Sequence, residues 1–595
     1  MKKVLFSAIT QLLFLPLLSA GISYSAAGGG VKSLDPALAD DLAGRDLTAL
    51  CYDTLVQYDY LARPYKLIPG MLKKMPELSP DGRSYLFELQ ENLYFAPHPA
   101  LPDKKSRKIT SYDVKFSILR IADSRHHSPL YWLYRNRISG IGDFRKKSAA
   151  YPKGDYSFYN DSVPGIKILD ERKFILTLDR PESGFLYLLA MPNAGIVSSR
   201  AALAVGNSSL SRKPAGSGPF ILKEWIPNLR LKFVRNPEFR KEFFPQAESA
   251  ADRKKPLPLL DGIEISQIRQ NMTAWMLFLQ GNLDCNALDK DNCDTLAGNG
   301  ELIPALKKRG VILDKIPEFE IRYIGFNFND PLLKNNLFLR RALREAYDIQ
   351  RRVKHASNML IPAAGPIPEG ISGFVPADEP HVPDLKKALK LLEVAGYPKG
   401  IDPASGKALQ LSFDQAGSSV NHRQMGELAQ DDFRKIGIDL LPALNSRPRF
   451  TDKLRRGQFQ LFRYSWIGDY PDALNFLQLF YSGNRGSCNY CGFADARFDK
   501  LYEEALALGD CVQKDQLIAR MVKLLDDECV WIWEGFPVSF ALHYNWLENS
   551  VPHDFSFVRW KYLSVNDKKR TEMKKKFKPL SFRELSGKEE DRSEK

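Results

Sequence analysis

Two hydrophobic periods interleave along this chain, and that interleaving narrows the available folds more than any other feature. Strict alternation marks half-buried strands at "SYLFELQ" (Tyr85, Phe87, Leu89), "KFILTLD" (Phe174, Leu176, Leu178) and "LRLKFVRNP" (Leu229, Leu231, Phe233), each close to Gly, Pro or Asp. Helical spacing appears in "ITSYDVKFSILRIAD", where Thr110 and Asp113 can form a capping box and Val114, Ile118 and Ile121 share one face. It recurs in "DLKKALKLLEVAGYP", with Asp384 as N-cap, a stripe of Leu385, Ala388, Leu389 and Leu392, and a stop at Gly396 and Pro398. "FLRRALREAYD" likewise puts Leu339, Ala342, Leu343 and Ala346 on one face. Strands and helices therefore mix throughout, which predicts an α/β or α+β protein. With 595 residues, 44% of them hydrophobic, the chain can bury two or more packed lobes.

The opening, "MKKVLFSAITQLLFLPLLSAGISYSAAGGG", has the order of a secretory signal peptide: two lysines, an apolar run, then small residues. The run is short of the ~20 residues that span a bilayer, and no later segment matches it. Residues 1–26 are read as the leader, with cleavage between Ala20 and Ala27; the first cysteine is Cys51, so none stands there to take a lipid. The expected product is periplasmic, unlipidated and not membrane-anchored. Seven cysteines cannot all pair with each other. Cys488 and Cys491 have C-x-x-C spacing, read as a local disulfide or two core thiols, and Cys51 as a small buried hydrophobe. Residues 566–595 are read as a charged, mobile tail, which carries part of the net charge of +14. Export, and the lack of basic residues interleaved with aromatics, exclude a nucleic-acid partner.

Catalytic signals are thin. "GSGPF" at 216–220 lacks the lysine and hydroxyl residue of a phosphate loop. "DKDNCD" at 289–294 lacks the glycine and terminal glutamate of a calcium loop and reads as a solvated loop. Eight histidines, His126 and His127 adjacent among them, form no metal pattern, and no Ser, His and Asp set with a nucleophile elbow appears. No enzyme, metal or cofactor is expected; the rival class is a secreted hydrolase built on scattered carboxylates.

Eight segments then accumulate into a resemblance: "SLDPALADDLAGRDLTALCYDTLV", "LIPGMLKKMPELSPDGRSYLFELQENLYFAP", "ITSYDVKFSILR", "PAGSGPFILKEWIPNLRLKFVRNPEF", "IGFNFNDPLLKNNLFLRRALREAYD", "AGPIPEG", "DLKKALKLLEVAGYPKG" and "WIGDYPDALNFL". In this order they resemble the family 5 solute-binding proteins of ABC importers, the group of the periplasmic oligopeptide and dipeptide receptors, from about Ser33 to about Tyr562. The resemblance implies an α/β, two-lobed periplasmic binding protein (type II, class C) with an extra subdomain in the first lobe and two hinge strands. It implies lobe 1 over 27–268 with the subdomain at about 60–200, lobe 2 over 269–537, and a return to lobe 1 over 538–565. The crossings are expected near 266–271 and 536–540. The family's strand ahead of "SLDP" is not evident here, since only "AAGGGVK" precedes it.

The expected ligand is a di- or oligopeptide captured between closing lobes and passed to an inner-membrane ABC permease by a monomeric receptor. A nickel chelate, haem, an opine or a sugar is the alternative cargo of the same fold. A peptide's α-ammonium, once engulfed, needs an opposite charge. By the resemblance that charge is Asp469, three residues after Trp466. Taken alone, Asp469 before Tyr470-Pro471 also reads as a turn cap, with Asp472 the other candidate for that role. Arg463, six residues before Asp469, is the counterpart of an arginine that can meet a peptide's carboxylate; a strand-end arginine is the plain alternative. Between them Ser465 and Ile467 are expected to offer backbone to a peptide laid alongside as an added strand, with Trp466 walling the cleft.

Overall fold

The computed structural model describes residues 21–585, apart from 28–29, 289–295, 297–300, 378–380, 418–419, 510, 556, 558 and 581. The acid-rich segment 289–294 lies outside the described residues.

The two periods form the elements they predict. Ser84–Glu88 pairs antiparallel with Lys173–Thr177, and helices cover Ser111–Ala122, Leu337–Ala346 and Leu385–Val394. The Asp113 carboxylate accepts from the backbone N–H and the hydroxyl of Thr110, each at 3.0 Å. Asp384 accepts from the Lys387 N–H at 2.9 Å. Leu339, Ala342, Leu343 and Ala346 are all buried, as a one-face stripe requires. The strand at "LRLKFVRNP" starts one residue later than its alternation suggests, at Arg230, and Leu229 is exposed.

Two sheets carry the architecture. In the first, β1 (Ile22–Ala27) runs parallel to β2 (Gly262–Gln267), which continues into the hairpin of Arg230–Arg235 and Phe220–Ile226. β1 is the strand not evident ahead of "SLDP" in the sequence, and all of it but Ala27 falls within the 1–26 read as the leader. Its Ser23 and Ser25 are buried, so small hydroxyl side chains, not large apolar ones, face inward, and the alternation is invisible to a hydrophobic pattern.

The second sheet is organised by one long strand. β3 (Val311–Pro317), β4 (Glu320–Phe326), β5 (Gln410–Ala416) and β6 (Leu461–Ile467) lead to β7 (Trp531–Tyr544), which is 14 residues long. The early residues of β7 pair with β4, and residues 538–544 pair with β3 and Cys285–Leu288. The chain thus passes between the two groups of strands at residues 317–320 and returns at 535–538, where the Glu318 N–H donates to the Pro537 carbonyl at 2.8 Å.

This differs from the expected first crossing at 266–271. The described residues between 271 and 316 stay with β1: the Asp284 N–H donates to the Tyr24 carbonyl at 2.8 Å, and Phe278 packs on Tyr544 at 4.7 Å between centroids. The physical reason is the apolar helix Asn271–Leu279, whose Trp275 and Phe278 are buried on that side.

Of the segment read as a charged tail, 566–595, the part from 566 to 580 is docked rather than free, and 586–595 lie outside the described residues. Asp567–Lys574 is helical, the Asp567 carboxylate accepts from the Gly21 N–H at 2.5 Å, and Arg570 donates to the Ile22 carbonyl at 2.8 Å. Phe577 then lies 5.6 Å from Tyr544 and under the Arg309 guanidinium. Charge alone read this helix as solvated, whereas its acid and arginine hold the start of β1.

Cys488 and Cys491 are unpaired thiols, hydrogen-bonded to the Gln478 carbonyl at 3.8 Å and the Asn489 side-chain oxygen at 3.3 Å. Burial pushes Cys488 up to about 12 and Cys491 to about 11. Cys51 is buried, as expected of a small hydrophobe. Among the described residues no helix is long and apolar enough to cross a membrane.

Candidate functional site

The stretch "YSWIGDYPDALNFL" is the end of β6, a turn, and the short helix Ala473–Leu477. Two acids stand in that turn, and the structure separates them. Asp472 is the cap: its carboxylate accepts from the Leu474 N–H at 2.8 Å, and its other oxygen pairs with Lys514 at 2.8 Å in a buried contact. Among the described residues, no backbone N–H donates to the Asp469 carboxylate. Its own N–H donates to the Asn475 side-chain oxygen at 3.1 Å, and the Trp466 indole N–H donates to the same oxygen, also at 3.1 Å. Asn475 is 1% exposed, so its amide fixes both the turn and the indole.

Among the described residues, no lysine, arginine or histidine forms an ion pair with Asp469. Desolvation raises its carboxyl above the ordinary value, opposed by the charge of Arg45, a hydrogen bond from Asn475 and the charge of Arg137. Arg45 lies on the helix Leu42–Cys51, and Arg137 is already bound to Glu182 at 2.7 Å. Both therefore come from the first lobe, across from Asp469. The same seam is closed by Tyr470 stacked on Tyr187 at 5.8 Å, beside a cavity of about 100 Å³ lined by Arg137, Glu182, Tyr470 and Asp472.

β6 also presents an open edge. One side is fully paired with β4 from Leu461 to Ile467. The Gly468 N–H donates to the Phe319 carbonyl at 2.7 Å, and antiparallel alternation then turns the backbone of Trp466 and Tyr464 toward β4 and that of Ser465 and Ile467 away from it. On that outer side β5 pairs only as far as Arg463. Ser465 and Ile467 thus point their N–H and C=O groups past the end of β5, where no described strand meets them.

Arg463 is in a different condition. Its Nε donates to both oxygens of Glu534, at 2.9 and 2.8 Å, and one Nη lies 2.8 Å from the same carboxylate. Glu534 is fully buried and also accepts from the Tyr347 hydroxyl. Burial pushes the Glu534 carboxyl up, but the adjacent Arg463 outweighs it and the group ends below its ordinary value. Trp466 is partly buried and serves Asn475 as a donor.

Four residues of this site were not singled out from sequence. Asn475 sits in the quoted stretch, and its signal was an amide in the first turn after an acid. Glu534 had a clear signal, a carboxylate inside the apolar run "VWIWEGFPVSF", where a charge demands a partner. Arg45 and Arg137 carry no mark in sequence, because only the packing of the first lobe brings them near.

Two lobes joined at paired strands, with a desolvated acid and an open strand edge at their seam, define a receptor that closes over a small solute. A family model described as "Bacterial extracellular solute-binding proteins, family 5 Middle" matches residues 66–488, and the chain belongs to that family. Heme-binding protein A of Haemophilus influenzae is 24% identical over 500 residues, covering 83% of each chain. Di/tripeptide-binding protein 2 of Pseudomonas aeruginosa is 25% identical over 484 residues, covering 80% of this chain and 82% of its own. Among solved structures, HbpA2 from Haemophilus parasuis aligns with a TM-score of 0.73 at 21% identity, covering 92% of this chain and 99% of that one.

Proposed function

We propose that the protein is the periplasmic receptor of an ABC importer, binding peptides with a free N-terminus and delivering them unchanged to an inner-membrane permease. The observation that carries this reading is Asp469, a desolvated carboxylate without an ion-pair partner among the described residues, next to an unpaired strand edge. An engulfed α-ammonium supplies the missing charge, and a peptide backbone supplies the missing ladder partners at Ser465 and Ile467. Trp466 then acts through Asn475, holding the turn that aims Asp469. The receptor works as a monomer without enzymatic activity. Its leader ends before Ile22, so that β1 remains in the mature chain, and its lobes exchange at 317–320 and 535–538.

The name of the Haemophilus influenzae relative supports a second reading, haem as cargo. Haem brings two carboxylates and an iron centre but no ammonium, so it offers Asp469 no N–H cation and the edge at Ser465 and Ile467 no backbone partner. Native mass spectrometry of freshly purified protein separates the two: co-purifying peptides are expected, and bound haem with its Soret band would overturn the peptide reading. Incubation with mixed peptides should yield no cleavage products.

A further inference from the structure

We propose that Glu534 is a specificity-determining residue: by occupying Arg463 it removes that arginine from ligand recognition, so the receptor reads the amino end of a peptide and is indifferent to the carboxyl end at that position. This inference rests on the peptide reading of the site.

Three observations carry it. First, the fork of Arg463 is committed, with Nε and one Nη on Glu534, and a guanidinium held this way by a carboxylate has little left for a second one. Second, Glu534 is itself locked. It is fully buried on β7, and the Tyr347 hydroxyl donates to it, so it cannot swing aside when a ligand arrives. Third, the arginine beside it on β4 is held in the same way: Arg322, in register with Ser465, pairs with Glu320 at 3.0 Å.

The consequence concerns length. At ~3.3 Å per strand residue, the four steps from Arg463 to Ile467 span ~13 Å, with the turn to Asp469 beyond them. A receptor that used both charges would demand one peptide length. With Arg463 occupied, only the amino end is fixed, and the carboxyl end can fall at different positions along the open edge. Freeing Arg463 should create a length and end-group preference that the native protein lacks.

The test uses calorimetric titration of alanine peptides, from dipeptide to hexapeptide, each as the free acid and as the C-terminal amide. The wild type should bind acid and amide within about threefold of each other at every length it accepts, the size of a screened charge effect. Glu534→Gln keeps the shape and releases the arginine's charge, and should favour the acid by about tenfold or more at one length. The double variant Glu534→Gln/Arg463→Gln replaces the ion pair with two neutral amides and should return to the wild-type ratio. A tenfold acid preference in the wild type, lost in the double variant, would overturn the proposal, as would equal binding of acid and amide by a folded Glu534→Gln at all lengths. If Glu534→Gln does not fold, the wild-type and double-variant ratios decide alone. Failure of every peptide to bind the wild type would instead refute the peptide reading, and this inference with it.

Discussion

Arg463 and Asp469 stand at the two ends of one short run, the last turn of a strand and the loop that follows, yet the fold treats them in opposite ways. Arg463 received a partner from its own lobe, the fully buried Glu534, and its charge is settled before any ligand arrives. Asp469 received an amide and two distant arginines from the other lobe, and burial leaves its carboxyl raised. A buried pair is expensive to break but adds little net stability, whereas an unmatched desolvated charge is an open demand. The lesson is that a charged residue in a binding-site motif identifies a ligand contact only after its neighbours are known.

The largest expected effects come from reversing the two roles. Asp469→Asn should weaken binding of a peptide with a free N-terminus by ~100- to 10,000-fold, the ~3–5 kcal/mol of half a buried pair, with a melting temperature near that of the wild type. Arg463→Gln should do the opposite, lowering stability toward urea by ~3 kcal/mol, because Glu534 is left buried and unpaired, with affinity nearly unchanged. Comparable losses of affinity in both variants would erase the distinction between the sites.

Acid should distinguish them next. The Asp469 carboxyl is raised in the free receptor, and an ammonium ligand requires its ionised form. Affinity is therefore full above that raised value and falls as pH drops through it, approaching tenfold per unit below it, with proton release on binding. Glu534 is shifted the other way, so its contribution to stability is present above the ordinary glutamate range and is lost only as pH falls through its lowered value. Calorimetry in buffers of different ionisation enthalpy measures the first, and acid unfolding the second. Binding that stays flat with falling pH until the protein unfolds would count against the open demand at Asp469.

The smallest effect is one of shape. With two crossings joining the lobes, ligand should shift the population toward closed forms. Small-angle scattering should show a modest decrease in radius of gyration with peptide. No decrease at saturation would mean that Arg45 and Arg137 already sit at their final distance from Asp469.

What was legible in the sequence follows the same division. The alternation of "SYLFELQ" and the stripe of "FLRRALREAYD" placed a strand and a helix, because each buries large apolar groups at a regular period. β1 escaped because serines fill its inner face, and the docked helix Asp567–Lys574 escaped because its anchors are charges. At the site, the position of Asp469 beside Trp466 could be read from the motif. That Asp472 is the cap and that Arg463 is occupied could not, since each depends on residues 42 and 71 positions away, Lys514 and Glu534.

The central claim, that Asp469 awaits a ligand's cation, is tested most directly by crossing one substitution with one chemical change. A peptide and its N-acetylated form are titrated into the wild type and into Asp469→Asn. The account predicts that acetylation and substitution each cost affinity in the wild-type background but not additively, with a coupling of ~3 kcal/mol because both remove the same pair. Additive losses, or near-wild-type binding of the free peptide by Asp469→Asn, would contradict it.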